Sequence, residues 1–502
     1  MKRYAWIGAL ILVMLTAGAA SASDFMDTWV TFVFADDNIN AGAEDRSPGA
    51  GFQKVNDELF FENIQSEKRG QETLTQLVLY KEMPSYFPHL NVEAALVIEF
   101  ENYVNEDTYK NETQIGDDGS YLKLNYFFSA DTYSGDHISI TAFPMDSNRF
   151  LLGYTYDITW GGEDIFPNNS GQVPGVRLRG QWGTDSGYEG YAFLGAKTAR
   201  LLNEEINERD TYYGFLAGFG QQFFSVMRWE ANGGMFQRGV FPPQGQDSEI
   251  GGKIVEAYGA STRIGFAQGK EIGDSIEFRL YKNNPEAGQK MMEPRVYLPG
   301  TSWETYLEAT YITQNLLEWD EVDTTVLQPA TAGALNAKLQ INKLRLHADM
   351  IYQDLSFILF NIPGLAPYKA FPDDTTVRPE WFAAGGVDYF FETPHLTPGL
   401  IVGLKQPATF ESGDNVITVF RDEDDWETLP RGEDAFNILS AKGTLKWDVA
   451  PIFTIAAEVK YTVDKNRTRY EKSDSESGRE RVFEEDNVTN RLGFALLMQA
   501  RF

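Results

Sequence analysis

The C-terminal stretch 492–502 alternates between apolar residues and residues that are mostly small or polar. The apolar set occupies every second position and includes the final one: Leu492, Phe494, Leu496, Met498, Ala500 and Phe502. Successive side chains of a β-strand point to opposite faces, so this pattern predicts a strand with one apolar face. About 9–11 residues of such alternation are enough to cross a membrane. The stretch predicts either a transmembrane strand or the edge strand of a soluble β-sandwich.

The same stretch resembles the C-terminal signal that bacterial outer-membrane barrels present to their assembly machinery. Its characteristic places are filled here by Arg491, Gly493, Leu496, Met498 and Phe502. The resemblance implies insertion into outer-membrane lipid by the barrel-assembly machinery. Because open strand edges are not tolerated in lipid, we expect this strand to pair with the first one, at Trp29–Phe34. We also expect Arg491, Gly493 and Gln499 to face the lumen.

The N-terminus has the pattern of a secretory signal peptide. Lys2 and Arg3 precede an apolar run, 5–19, and Ala20-Ser21-Ala22 provides an A-x-A cleavage site. The run is short for a spanning helix, which needs about 20 residues. We therefore expect a signal peptide at 1–22 and a single outer-membrane β-barrel at 23–502. The chain has no cysteine, which excludes disulfide and thiolate chemistry.

Composition separates the remaining classes of protein. No later apolar run is long enough for a spanning helix, which leaves a soluble secreted protein or a closed barrel. Aromatic residues make up 14% of the chain and glycines number 45. That balance is typical of aromatic girdles and of many short strands joined by glycine-containing turns. The formal net charge of −30 disfavours nucleic acid as a partner, since phosphate binding requires a basic face.

Period-2 alternation recurs along the whole chain, and a helical interpretation of the best segments would place charges within the apolar stripe. The expected strands are 28–35, 72–81, 92–103, 120–129, 136–143, 150–160, 175–183, 188–197, 211–218, 223–233, 254–266, 274–282, 302–313, 333–341, 344–353, 381–391, 397–405, 436–447, 451–464 and 491–502. Since bacterial single-chain barrels have even strand numbers, we predict an all-β, single antiparallel up-and-down β-barrel of about 18 strands, with 16–20 tolerated.

Tight turns such as Asn342-Lys343 alternate with long connections such as 284–301, 314–332, 358–380 and 465–488, as in barrels with short turns at one rim and long loops at the other. In an up-and-down barrel, successive connections alternate between the two rims. Placing every long connection at the same rim is not compatible with this alternation for the expected strands. Some alternating segments therefore have to be hairpins within loops, and 414–421 is the first candidate.

If the polar face of each strand lines the lumen, the interior carries charges of both signs. The expected pore-lining residues are Lys123, Arg177, Arg179, Arg228, Arg263, Arg279, Arg345, Glu277, Glu304, Glu308, Glu458 and Lys460. Rings of charge are how pores select solutes, and the arginines favour a path for anionic solutes. The alternative is that these charges pair across neighbouring strands and only satisfy a wet interior.

The connection 358–380 is rich in proline and also contains Leu365, Tyr368 and Phe371. A stiff, apolar loop of this kind either folds inward and narrows a pore or folds over the rim. The sequence leaves both arrangements open.

Catalysis has little support in the sequence. The four histidines, His89, His137, His347 and His395, have no serine nucleophile placed to form a triad. Metal-ligand spacings such as H-E-x-x-H and phosphate-binding glycine loops are absent. We therefore expect no enzyme activity, no catalytic residue, no metal site and no cofactor.

As a pattern, the whole mature chain resembles bacterial outer-membrane β-barrels of the porin and exporter type, and Phe150–Tyr154 resembles strands of porins and of alginate-export-type channels. The resemblance implies passage of solutes across the outer membrane. Two alternatives stay open. One is a non-enzymatic barrel within a multi-protein envelope machine for polysaccharide export or surface motility, with periplasmic or outer-membrane partners. The other is a soluble secreted β-rich carbohydrate-binding protein or enzyme.

Overall fold

The computed structural model describes residues 27–501 apart from 37–38, 40–70, 85, 106–109, 118, 130–134, 148–149, 151–152, 154–172, 185, 204–207, 243–248, 271, 273–298, 320, 322, 362–368, 373–374, 413–414, 423–424, 473–478 and 485–491. The strands are β1 (Asp27–Asp36), β2 (Gln71–Pro84), β3 (Leu90–Asn105), β4 (Lys110–Asp117), β5 (Tyr121–Phe127), β6 (His137–Phe143), β7 (Gly175–Trp182), β8 (Gly190–Asn203), β9 (Glu208–Phe223), β10 (Met227–Val240), β11 (Ile254–Gln268), β12 (Thr301–Leu317), β13 (Thr325–Ile341), β14 (Leu344–Gln353), β15 (Thr376–Arg378), β16 (Glu380–Tyr389), β17 (Leu396–Gln406), β18 (Thr409–Ser412), β19 (Val416–Asp422), β20 (Asp425–Thr428), β21 (Ile438–Ala450), β22 (Phe453–Val463), β23 (Thr468–Lys472), β24 (Arg479–Phe483) and β25 (Leu492–Arg501). Within the described residues there is one helix, α1 (Leu355–Asn361).

The strands form a closed antiparallel barrel in which neighbours along the chain are neighbours in the wall. The main sheet has 19 strands, of which β4 pairs only with β3, so 18 strands form the closed wall. Closure is made by β1 and β25, whose register pairs Trp29 with Arg501 and Phe34 with Leu496. Inside the wall the two strands are joined by Gln499, whose side-chain amide donates to the hydroxyl of Thr31 (2.9 Å). The predicted fold, strand number and closing pair are confirmed.

Two expected strands have no place in the wall. β6 pairs directly with β7, and β11 pairs directly with β12, so the sheet closes without 150–160 and 274–282. Of the first segment, Phe150 and Gly153 are described and lie outside strands, whereas 274–282 lies outside the described residues. The long connection expected at 314–332 is mostly strand instead. Strand β12 extends to Leu317 and β13 begins at Thr325, and the two strands are paired up to these residues.

The positions of the connections explain why the long connections could not all be placed at one rim. Strands β2–β3, β13–β14 and β21–β22 are joined at one rim by short turns; at one of them Asn342 has φ +53°, a conformation that Asn tolerates. The connection between β11 and β12 is at this same rim, yet it spans 269–300. One long connection therefore lies on the side of the short turns, so length alone does not assign a rim.

The outer face of the wall has the character of a lipid-facing surface. Exposed aromatic side chains form a band near the short-turn rim, Trp182, Trp229, Trp303 and Trp447, and another near the opposite rim, Tyr213, Tyr258, Tyr311 and Trp381. On β12, Trp303 and Tyr311 are eight residues apart, which is about 27 Å of strand. A tilt of about 40° reduces this to about 20 Å along the barrel axis, close to the apolar band of outer-membrane barrels. The exposed side chain of Leu307 lies between the two bands.

Each of the four tryptophans near the short turns satisfies its indole N–H. The acceptors are Gln221, Thr262, Gln268 and the carbonyl of Pro394, at 2.9–3.1 Å. An amphipathic ring with its polar atom hydrogen-bonded is suited to the boundary between lipid and water.

Among the described residues, no helix has the length and hydropathy needed to cross a bilayer.

Three long connections build additional structure at the opposite rim. Strands β15, β18, β19 and β20 form a separate four-stranded sheet, and β23 pairs with β24 as a hairpin beside it. We call these two elements the cap. The segment 414–421, expected to be a loop hairpin, contributes β19 to this sheet. Arg421 and Asp464 form a buried ion pair in the cap region (2.6 Å). Although burial opposes ionisation, the Arg421 guanidinium and the Asn466 amides hold the pKa of Asp464 below its usual value.

Candidate permeation pathway

The alternation of each strand points the expected lining residues into the barrel. On the described strands the inward-facing set is Lys123, Arg177, Arg179, Arg228, Arg263, Arg345, Glu304, Glu308, Glu458 and Lys460. Glu277 and Arg279 lie outside the described residues, as do Arg491 and Phe502 of the expected assembly signal. The remaining signal positions lie on β25, where Gly493 and Gln499 face inward and Leu496 and Met498 alternate with them on the outside.

Many of the inner charges are neutralised by opposite charges on the same or a neighbouring strand. Ion pairs join Lys123 to Glu93 (3.2 Å), Arg228 to Glu230 (3.2 Å), Arg345 to Asp388 (2.7 Å), Glu304 to Lys270 (2.7 Å) and Glu458 to Lys442 (3.2 Å). Pairs that involve no expected lining residue add Lys405 with Glu380 (2.7 Å) and Lys446 with Asp448 (3.2 Å). Removing one member of such a buried pair is destabilising, because it leaves an uncompensated charge.

Basic side chains are concentrated on one side of the lumen, across β5, β7 and β8. Lys123 and Arg177 both stand opposite Thr141 of β6 in the strand register, and the Arg177 guanidinium donates to the Thr141 hydroxyl (3.3 Å). Arg179 follows on the same inner face of β7, and Lys197 lies on the inner face of β8. We call Lys123, Arg177, Arg179 and Lys197 the cationic wall.

Aromatic rings accompany the cationic wall. The Arg179 guanidinium lies 4.9 Å from the centroid of Tyr191, and the Arg228 guanidinium lies 5.5 Å from the same ring. On another part of the wall Arg263 stacks on Tyr306 at 3.8 Å. Such stacking stabilises a cationic side chain in the lumen.

The connection after β6 folds into the lumen over the cationic wall. The Ser147 hydroxyl donates to the carbonyl of Val173 (2.7 Å), and the Gly153 N–H donates to Oδ1 of Asn232 on β10 (3.1 Å). Asn232 is buried on the inner face of β10, so Gly153 lies inside the barrel. We call Pro144–Ser147 with Phe150 and Gly153 the first arm.

Phe150 fixes the first arm against the wall. Its ring centroid is 5.8 Å from the Arg177 guanidinium and 5.8 Å from the Lys197 ammonium. The ring occupies the place that a Cβ of Gly195 would take, so this close approach requires glycine on β8. The side chain, expected on a wall strand, is instead a fully buried part of an inward loop.

Replacing Phe150 with alanine should widen the passage, because the ring fills space between the arm and the cationic wall. We expect single-channel conductance to rise by about 1.5-fold or more, as for removal of a constricting side chain. Phe143→Ala is the matched control: its ring stacks on Phe150 at 6.1 Å but belongs to β6 of the wall. Equal conductance of Phe150→Ala and wild type would contradict a constricting role for the arm.

A second inward element comes from the connection after β14. Asp354 caps α1 by accepting from the Phe357 N–H (2.8 Å) and is itself held by the Thr331 hydroxyl (2.8 Å). At the other end of α1, the Phe360 carbonyl accepts from the Arg238 guanidinium (2.7 Å), which also donates to Gln314 (2.9 Å). The start of α1 is therefore held next to β14, and its end is held next to β10, on the inner face of the wall.

The apolar face of α1 packs on the inner wall. Phe357 and Phe360 belong to the same buried cluster as inward-facing residues of β10 and β12–β14, which include Phe236, Ile312, Ala332 and Ile351. Of the two arrangements expected for 358–380, the inward one therefore holds for 358–361. Leu365 and Tyr368 lie outside the described residues, and Phe371 packs among residues of the cap sheet.

Sequence reasoning missed several residues that shape the lumen. Lys197 continues the alternation of β8, but the inner face of that strand is aromatic at Tyr191 and Phe193, so its polar face was not recognisable. Asn232 lies on the polar face of the expected strand 223–233, whereas Arg238 lies beyond its expected end, because β10 continues to Val240; the role of both depends on loops that return from other strands. No local pattern indicates such a contact.

Few of these inner residues carry groups suited to catalysis or metal binding. His347 lies beside Asp349, with Nδ1 3.7 Å from the carboxylate. In the part of the chain that the structure describes, no group of three or more His, Asp or Glu side chains is arranged to hold a metal ion.

A closed antiparallel wall, an aromatic-banded apolar exterior and a polar, charged interior together define the class of transmembrane β-barrels found in bacterial outer membranes. Among solved structures, the chain is similar to OccK11 (OpdR) of Pseudomonas aeruginosa, with a TM-score of 0.43 and 8% identity over 95% of each chain. It is also similar to the outer membrane protein OpdK of Pseudomonas aeruginosa (0.44, 9%, over 95% of this chain and 98% of that one) and to OccAB2 of Acinetobacter baumannii (0.44, 8%, over 95% and 97%). No family model and no curated protein matches the sequence. We therefore take function from the geometry of this chain's own residues.

Proposed function

We propose that the chain is a porin-like channel that lets solutes pass across the bacterial outer membrane. The observation that supports this function most directly is the closed wall of 18 strands, apolar outside and lined by ionisable side chains inside. Ionisable side chains are expensive within a membrane unless they face a watery interior, so an interior of this kind indicates a solute path. A soluble secreted protein does not fit, because it would leave the apolar exterior of the wall exposed to water.

Supporting observations favour anionic solutes. The cationic wall gathers four basic side chains: Lys123 is paired with Glu93, and Arg179 and Lys197 lie against aromatic rings that stabilise a cation. Two other arginines that the sequence suggested for an anion path do not add to this wall. Arg345 is paired with Asp388, and Arg279 lies outside the described residues. A concentrated positive wall raises the local concentration of anions and lowers that of cations.

We propose that residues 1–22, which lie outside the described residues, are a cleaved signal peptide, and that the barrel-assembly machinery recognises Arg491, Gly493, Leu496, Met498 and Phe502. The apolar exterior of β25 and its pairing with β1 are consistent with a final strand that closes the barrel in lipid.

Planar-bilayer recordings of the purified chain test the proposed function. We expect discrete conductance steps and, in a tenfold salt gradient, a reversal potential on the anion side, within the limit of about 59 mV for complete selectivity. Folding is checked in parallel by a shift in gel mobility between unheated and heated samples. A folded barrel that never conducts would overturn the proposal.

One observation favours a second function. Buried ion pairs and two inward elements lie in the described interior, as expected for a sealed barrel within a multi-protein envelope machine. Such a barrel would insert normally, would not conduct, and would copurify with periplasmic or outer-membrane partners. The same recordings, combined with affinity purification from membranes, distinguish the two functions.

A further inference from the structure

Helix α1 touches two different parts of the molecule. Phe357 and Phe360 pack on the inner wall, as described above. The opposite face of the helix, with Leu355 and Ile358 buried and Leu359 partly buried, packs against Ala408, Phe410 and Phe420. These three belong to the cap sheet or its connection: Phe410 lies on β18, Phe420 on β19, and Ala408 accepts from the Phe420 N–H through its carbonyl (2.9 Å). The helix is therefore held between the pore wall and the cap.

The contacts on the two faces are of different kinds. Toward the wall, α1 accepts hydrogen bonds from Arg238 at the Phe360 carbonyl and from Gln328 of β13 at the Ser356 hydroxyl (3.5 Å), in addition to apolar packing. Toward the cap, all of the clustered contacts are apolar. The cap sheet has its own second face, where Ile417, Val419 and Leu429 pack together with Phe483 of the hairpin. Strand β19 thus presents Phe420 to the helix and Val419 to the hairpin.

We propose that the cap sheet regulates the pore: its contact with α1 keeps the helix folded into the lumen, and displacement of the cap from outside the barrel releases it. The proposal rests on the proposed channel function. A change in the cap is transmitted because Phe420 and Phe410 contact the same short helix that Arg238 fastens to β10. With 7 residues, α1 is too short to be stable without these contacts.

The first test compares three variants of the full-length chain in planar bilayers. Phe420→Ala removes a buried ring from the contact with the cap and Arg238→Ala removes the hydrogen bond that joins α1 to β10, so each should raise single-channel conductance by about twofold or more. Val419→Ala is the matched control, since it weakens the cap from the opposite face of the same strand. It should leave conductance at the wild-type level. In the double variant Arg238→Ala/Phe420→Ala, the rise should be no larger than that of the stronger single variant, because both release one helix.

A second readout does not depend on conduction. The chain has no cysteine, so Ala332→Cys introduces a single thiol on the inner wall, at a buried position of β13 against which α1 packs. A water-soluble maleimide should label this thiol slowly in the wild-type background and at least about tenfold faster with Phe420→Ala, as the helix opens locally. Labelling with Val419→Ala should stay slow.

The outcomes separate the two proposals. If wild type conducts but Phe420→Ala changes neither conductance nor labelling, the regulatory proposal is wrong and the channel function stands. If Val419→Ala behaves like Phe420→Ala, general loosening of the cap explains both and the specific coupling is wrong. If no variant conducts but labelling accelerates with Phe420→Ala, the coupling stands and the channel function fails. If Phe420→Ala lacks the gel-mobility shift and is therefore not folded, Phe420→Leu takes its place in both tests. This variant keeps an apolar group and should give a smaller rise in conductance.

Discussion

Replacing Arg177 and Arg179 together by glutamine is expected to shift the reversal potential toward cations by at least about 10 mV in a tenfold salt gradient, for which full selectivity is about 59 mV. Both side chains are on the inner face of β7, and Lys123 lies in the same row as Arg177, across β6. Their charges add along one side of the lumen, and the wall between them and lipid has a low dielectric constant. The double substitution removes two of the four basic side chains of the cationic wall, and Lys123, one of the other two, is already paired with Glu93, so a large change is expected.

Arg263→Gln is the control for this experiment. Arg263 also faces inward and also stacks on an aromatic ring, but it lies on β11, away from the cationic wall and opposite Glu308 in the register. We expect its replacement to shift the potential by only a small fraction of the effect of the double variant. Equal shifts would show that selectivity follows the total charge of the lumen and not this one wall.

Arginine in place of Leu307 is expected to destabilise the folded barrel in lipid by about 2–4 kcal/mol, the usual cost of a lipid-facing cation near the middle of the bilayer. Leu307 is exposed on the outer face of β12, midway between Trp303 and Tyr311, and its neighbour Glu308 faces the lumen, where it accepts from Ser261 (3.0 Å). The substitution therefore changes the exterior and leaves the interior contacts in place. Urea unfolding in lipid vesicles, followed by the gel-mobility shift, measures the loss.

Leu327→Arg provides the depth control. Leu327 is equally apolar and exposed, but it lies on β13 near the rim of the long loops, where the same charge should cost about 0–1 kcal/mol. The ratio of the two effects measures the position of the bilayer on the wall. If both variants are as stable as wild type, the exterior of the barrel is not in lipid, and the membrane assignment is wrong.

The wall was largely predictable from sequence because its physical requirement is local. A strand between lipid and a polar lumen has to alternate, and β22 and β25 do so residue by residue. The alternation also indicated the correct closing partner, at Trp29–Phe34. It gave two strands too many because alternation alone does not distinguish a strand from a loop: in one of the two segments, Phe150 and Gly153 lie outside the strands and inside the barrel.

The interior was less predictable because its requirements are not local. Whether Arg345 is an ion-selecting charge or half of an ion pair depends on Asp388, which lies 43 positions further along the chain. The inward course of the first arm depends on Asn232, and that of α1 on Arg238, and neither contact has a signature in the residues of the loop itself. The sequence therefore predicted which side chains face inward without predicting their partners.

Both inward elements are fastened to β10, one through Asn232 and the other through Arg238. These two side chains lie on the same face of one strand, six residues apart, so their separation is set by the strand at about 20 Å. The distance between these two attachment points is then set by one strand and not by the lengths of the loops. An attempt to resize the passage by loop exchange would have to preserve both attachment points, whereas sliding β10 by two residues against β9 would move both of them together.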